Sequence, residues 1–153
     1  MPLIALLLAI HLIAAVFWVG GMAFAYTILR PAAGPLDPPV RLPLWRRVFT
    51  AFLPWVGVSI VALLVTGFAL IFLMFGGFPT APTYVHLMMA IGILMMLLYL
   101  HLLFAPWRRF RAALDSGTLP EAGKSLNQIR MIVAVNLTLG VVTIVVGGTG
   151  RYW

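Results

Sequence analysis

The sequence predicts an all-α integral membrane protein, a four-helix bundle with both termini on the non-cytoplasmic side. Three observations predict it. The 153-residue chain is 63% hydrophobic and only 8% charged, against about 45–50% and about 25% in a soluble domain. It contains four apolar runs of at least ~18 residues, the length that crosses a bilayer. Its basic residues fall almost wholly in two of the three connections between those runs, as cytoplasmic loops do.

The first run, residues 3–29, ends at Arg30-Pro31. It has no basic leading segment, no A-x-A cleavage site, and exceeds the roughly 7–15 apolar residues of a signal peptide, so it reads as a retained span. The next connection carries Arg30, Arg41, Arg46 and Arg47. Within it, residues 42–51 (LPLWRRVFTA) mix Trp45, Val48 and Phe49 with two arginines, the pattern of an interfacial segment entering a span. The second span covers about 52–75 and is closed by Gly76-Gly77 and Pro79. Residues 76–83 hold no charge at all. The third span, about 84–104, follows Pro82 and stops before Ala105-Pro106 and the cluster Arg108, Arg109 and Arg111. Residues 115–124 (DSGTLPEAGK) read as a polar turn region. The fourth span runs about 130–148, from near Arg130 to Gly147-Gly148. No alternating pattern suggests a barrel.

Loops one and three together hold nine basic residues, and Arg151 stands alone at the other side. Both charged loops are therefore expected inside and both termini outside. The whole chain is expected to form a single transmembrane domain. The formal charge of +7 marks cytoplasmic loops and not a nucleic-acid partner. The bilayer is the partner that composition implies.

The absence of cysteine excludes disulfides, thiolate metal sites and cysteine nucleophiles. Asp115 and Glu121 lie outside the spans, so no carboxylate pair is available in the membrane for acid–base chemistry. The informative residues are the few polar ones within the spans, because each is costly unless it meets a partner or a cavity. His11 and Trp18, Ser59 and Thr66, and Asn136 and Thr143 are each seven apart, which puts each pair on one helix face. His86 and His101 add a third-span seam, ~60° apart around the helix. A bundle with these seams turned inward follows.

Serine and threonine in such helices often bond their own backbone, and asparagine can pair across helices for structure alone. Histidine is the stronger functional candidate, being the commonest metal ligand. By depth, His11 and His86 are expected ~6 Å and ~12 Å outward of the midplane, and His101 ~10 Å inward. His11 and His86 are thus close enough in depth to serve as opposite axial ligands of one porphyrin iron, whereas His101 is too far in. Met88, Met89, Met95 and Met96 offer a different chemistry: thioether with imidazole suits Cu(I). Methionine is also an ordinary filler of apolar helices.

His11-Leu-Ile-Ala-Ala-Val-Phe-Trp18-Val-Gly-Gly21, followed by Leu29-Arg30-Pro31, resembles the opening helix of the copper-resistance D-type (CopD) membrane proteins. Tyr84-Val-His86-Leu-Met-Met, His101, Pro106-Trp-Arg-Arg and Asn136-Leu-Thr-Leu-Gly140 resemble their later helices. A more distant likeness is to the small membrane haem protein that oxidises protoporphyrinogen IX. That family also has a first-helix histidine seven residues before a tryptophan, but its third-helix histidine is followed two residues later by a lysine. Here Met88 stands in that place.

The resemblance implies a multi-pass protein of a bacterial inner membrane that binds haem b or copper near the outer face. His11 and His86 would be the principal ligands, Trp18 and Asn136 would lie beside the cofactor, and Met89 and His101 are further metal candidates. A haem would imply electron transfer, with a quinone or a periplasmic redox protein as partner. Copper would imply a periplasmic copper partner, or uptake by a permease. A non-enzymatic assembly subunit is the remaining class. Glycine- and alanine-rich faces would permit a homo-oligomer.

Overall fold

A computed structural model describes residues 2–153, which are almost entirely helical. Helix α1 runs Pro2–Phe24, widens into a π-turn at Ala25–Leu29 and closes with one turn at Arg30–Ala32. The π-turn sits just before Pro31. That residue has no N–H to give to the preceding turn, and its ring crowds the carbonyl four residues back. The Arg30 N–H accordingly reaches back to the Ala25 carbonyl.

Helix α2, Pro38–Phe75, is 38 residues long. It therefore begins well before the apolar run that starts near residue 52. Extended Asp37 with Pro38 and Pro39 behind it starts the helix. Residues 42–51 are continuous with the span and packed inward. Leu42, Trp45 and Phe49 are buried against the rest of the bundle. The helix stops at Gly76, whose φ of 75° is open to glycine and strained for other residues. The Gly76 and Gly77 N–H groups cap the carbonyls of Phe72 and Ile71.

After a short 3₁₀ turn, Phe78–Thr80, helix α3 spans Thr83–Phe104. Ala105 leaves the helical region ahead of Pro106, as a residue before proline tends to do. Helix α4, Pro106–Asp115, then lies amphipathically with Trp107, Phe110 and Ala113 buried. The expected polar turn region is short: α5, Leu119–Thr149, starts two residues past Gly117 with Pro120 in its first turn. About three turns of this helix, residues 119–130, therefore precede the apolar part of the span.

Helix α1 packs along α2, and α5 packs along α3 and α4 while also touching α1 and α2. The neighbours fix the directions. Gly21 meets the Phe52 ring and Gly67 meets His11, so α1 and α2 are antiparallel. Gly150 meets Tyr84, Gly147 meets Met88 and Gly140 meets Met95, so α3 and α5 are antiparallel. Val19 of α1 and Met95 of α3 both press on Gly140, which has no side chain to hold them off.

The densest part of the core is the arginine-rich end. There Trp45, Phe49, Trp107 and Phe110 stack in sequence with ring centroids 5.3–5.9 Å apart, a range in which aromatic pairs attract. Elsewhere the bundle shows its apolar surface outward. Only 17–22% of each span's most apolar window is buried, and Ile13, Val16, Val65 and Leu97 are largely exposed. Such a surface is compatible with lipid and not with water.

Candidate functional site

The seams predicted from seven-residue spacing lead to the site. Ser59, Thr66 and Asn136 are buried, and His11, His86 and Thr143 are half-buried. Ser59 donates to the Trp55 carbonyl, Thr66 to the Ala62 carbonyl and Thr143 to the Leu139 carbonyl. These bonds satisfy the hydroxyls locally, as membrane helices commonly do.

Thr66 does more. Its Oγ1 lies 2.8 Å from His11 Nδ1, across the α1–α2 contact. The threonine has one proton, and the 2.6 Å bond to Ala62 takes it. The Thr66 oxygen is then the acceptor and His11 Nδ1–H the donor. A neutral imidazole holding its proton on Nδ1 keeps a free lone pair on Nε2. This is the arrangement of a metal-ligating histidine, whose second nitrogen is tied to an oxygen that fixes tautomer and ring orientation. Gly67 completes the seat: a Cβ there would stand 3.3 Å from His11 Cε1, so the ring lies close against bare backbone.

His86 is carried by α3, whose principal packing partners are α5 and α4. It makes no side-chain hydrogen bond among the described residues, and the helices bearing His11 and His86 are bridged by α5. Their depth is nevertheless matched. From the common level at Gly140, His11 is eight residues beyond Val19 and His86 nine beyond Met95. At 1.5 Å per residue these are ~12 Å and ~13.5 Å toward the uncharged end. The offset is smaller than depth counted from span centres implies.

Methionines surround this level on α3. Met88 packs against Gly147, its Sδ 3.1 Å from where a Cβ would be, and Met89 is half-buried one turn from His86. Deeper in the bundle Met95 and Met22 are each 3% exposed. Among the described residues no three His, Asp or Glu side chains gather at a point that could hold a metal.

The remaining candidates lie elsewhere. Trp18 is buried in the α1 core face with Val19 and Met22. Asn136 donates Nδ2 to the Met95 carbonyl at 3.2 Å, while its buried Oδ1 has no partner. His101 is exposed near the arginine-rich end, in a groove of about 350 Å³ with Arg109 and Gln128. It stands fifteen residues from His86, ~22 Å along the same helix, and shares no site with the other two.

Sequence reasoning did not anticipate two features. One is the pairing of His11 with Thr66, although the matching seven-residue seams hinted at it. The other is the Tyr99 hydroxyl, which donates to the Leu53 carbonyl at 3.0 Å and ties α3 to α2.

The profile of a family described as copper resistance protein D matches residues 46–149. The matched stretch includes His86, the α3 methionines and Asn136, while His11 and Trp18 precede it. Neither the curated proteins nor the solved structures contain a match.

Proposed function

The chain belongs to the copper resistance protein D family, a multi-pass membrane family, and on that premise we infer that it takes up copper at the uncharged end of its bundle. His11 Nε2 is the anchoring donor. His86 and the thioethers of Met88 and Met89 are the donors available at the same depth. The observation that carries this reading is the His11–Thr66 hydrogen bond, which engages Nδ1 and leaves Nε2 as the nitrogen open to a metal. The positive-inside rule turns this end outward, to the periplasmic side of a bacterial inner membrane, where a copper-carrying partner would meet it.

The test is the metal content of purified protein loaded with Cu(I). One tightly held equivalent is expected in the parent. His11→Gln should lose it, and His86→Gln should weaken it. Full retention in His11→Gln removes the reading.

A permease is the second reading, and a specific observation favours it. Met95 and Met22 are both buried in the same core cluster, and they would supply thioether steps beyond the first site. Copper flux into proteoliposomes that falls in Met95→Leu, with copper binding at the outer site intact, would select the permease. Haem b held by His11 and His86 uses the same free Nε2. A Soret band in the isolated protein that is lost in His11→Gln would select haem over copper.

A further inference from the structure

His101 takes no part in the copper site, yet it stands in the membrane. It lines a groove of about 350 Å³ on the flank of the bundle, at the arginine-rich end. That volume lies within the roughly 300–1,000 Å³ of ligand clefts. On one side α3 and α4 supply Leu98, His101 and Arg109, and on the other α5 supplies Gln128, Ile132 and Val135. The groove is open at its flank, where Met131 and Val135 are exposed.

The lining is ordered by depth. Counted from the level at which Gly140 meets Met95, Leu98 and Val135 lie ~5 Å and ~8 Å toward the arginine-rich end, His101 ~9 Å, Ile132 ~12 Å and Gln128 ~18 Å. Arg109 is carried further, past the break at Ala105, on the first turn of α4. The inner part of the groove is thus apolar, its mouth is polar and cationic, and an imidazole stands between. The hydrocarbon of a bilayer reaches ~15 Å from the midplane, so His101 faces acyl chains and not water. An exposed imidazole at that depth is costly without a partner. None of His101, Arg109 and Gln128 makes a side-chain hydrogen bond among the described residues, and the one ion pair there joins Arg46 to Asp115. No carboxylate lines the groove.

We propose that this groove holds one anionic phospholipid, with its phosphodiester on Arg109 and Gln128 and a glycerol ester carbonyl on His101. The order of the lining matches the order of groups along such a lipid: charge at the mouth, ester oxygens next, hydrocarbon deepest. The unanswered Arg109 favours a net negative headgroup over a zwitterion. A soluble phosphate gains nothing from Leu98, Ile132 and Val135, whereas acyl carbons do, and the open flank lets a chain enter from the bilayer. By the positive-inside rule the lipid belongs to the cytoplasmic leaflet. The site is independent of the copper residues at the other end of the bundle.

Native mass spectrometry of the full chain in detergent, titrated with phosphatidylglycerol or phosphatidylcholine, is the test. Phosphatidylglycerol should be retained about fivefold better than phosphatidylcholine, the equivalent of ~1 kcal/mol for a basic side chain near a headgroup. Arg109→Gln should abolish that preference. Arg108→Gln removes the same charge from the neighbouring exposed position, outside the groove, and should leave it intact. Val135→Trp fills the groove without changing charge and should lower phosphatidylglycerol retention severalfold; it decides the matter if Arg109→Gln does not fold. Equal retention of the two lipids, equal losses in Arg109→Gln and Arg108→Gln, or full retention in Val135→Trp overturns the proposal. Displacement of the lipid by millimolar inorganic phosphate, or a dimer that excludes lipid, overturns it in favour of a soluble anion or a second copy of the chain.

Discussion

His11 of α1 and Thr66 of α2 meet through a single contact, Nδ1 to Oγ1 at 2.8 Å, and that contact decides which imidazole nitrogen is free. The hydroxyl proton is committed to the Ala62 carbonyl, so the threonine can only accept. Removing the acceptor leaves a buried N–H seeking a partner and frees the ring to rotate or to change tautomer. Thr66→Val, which keeps the shape and deletes the oxygen, should therefore lower Cu(I) affinity by about 10- to 100-fold, the usual cost of losing the partner behind a metal-bound histidine. Competition with a Cu(I) chelator measures it, and Ser59→Ala, one turn-pair away on the same helix, serves as the unaffected control.

Gly67 provides the floor beneath the same ring. An alanine methyl there would sit 3.3 Å from His11 Cε1, a contact relieved by a few tenths of an ångström of ring movement. A leucine has no such escape. Gly67→Leu is expected to displace the imidazole and abolish Cu(I) binding with helical content unchanged by circular dichroism, while Gly67→Ala weakens binding only slightly.

The crossing of α1, α3 and α5 rests on Gly140. A Cβ at that position would come within 2.7 Å of Val19 and 3.2 Å of Met95, and both are core side chains with little room to move. Gly140→Val should destabilise the bundle by about 1–3 kcal/mol, as overpacking does. Thermal unfolding in detergent reads the effect. Gly92, with nothing near its missing side chain, should accept alanine without loss.

Two polar contacts make opposite predictions about stability. Tyr99 donates to the Leu53 carbonyl in a buried setting, and Tyr99→Phe should cost about 0.6 kcal/mol, the average for a hydrogen bond between membrane helices. Arg46 and Asp115 are joined at 2.5 Å, yet their side chains are 39% and 62% exposed. Water and salt screen such a pair, so Asp115→Asn should shift the melting temperature negligibly at physiological ionic strength.

Orientation can be read directly because the natural chain has no cysteine. Thr80→Cys in the uncharged loop and Ser116→Cys in the arginine-rich loop are single labelling sites. A membrane-impermeant maleimide added to intact spheroplasts should modify the first and not the second. The reverse pattern would place the copper end in the cytoplasm.

Much of the architecture was legible in the sequence because lipid imposes a blunt constraint. A run of about twenty apolar residues has no alternative to a helix when its backbone has no water to bond, so four spans could be counted. Their ends were less legible. Leu42, Trp45 and Phe49 read as interfacial beside Arg46 and Arg47, and in the bundle they are also buried, because α4 and α5 fold back over them. No local signal announces a packing partner eighty residues away. The same holds for the site. The seven-residue spacings singled out His11 and Thr66, but which seam faces which neighbour depends on how the helices rotate. Thr66 looked like a hydroxyl bonded to its own helix, which it is, and its second role appears only when α1 lies against it. The grouping of His101 with Arg109 and Gln128 was not visible in the sequence, since the meeting of helix ends is a property of the bundle.

X-ray absorption at the copper edge on Cu(I)-loaded protein bears most directly on the copper site. The parent should give a first shell that mixes imidazole nitrogen with thioether sulfur, and His11→Gln should lose the imidazole signature together with most of the bound metal. A shell of oxygen and nitrogen without sulfur, or a parent-like spectrum in His11→Gln, would contradict the assignment of His11 as the anchoring ligand.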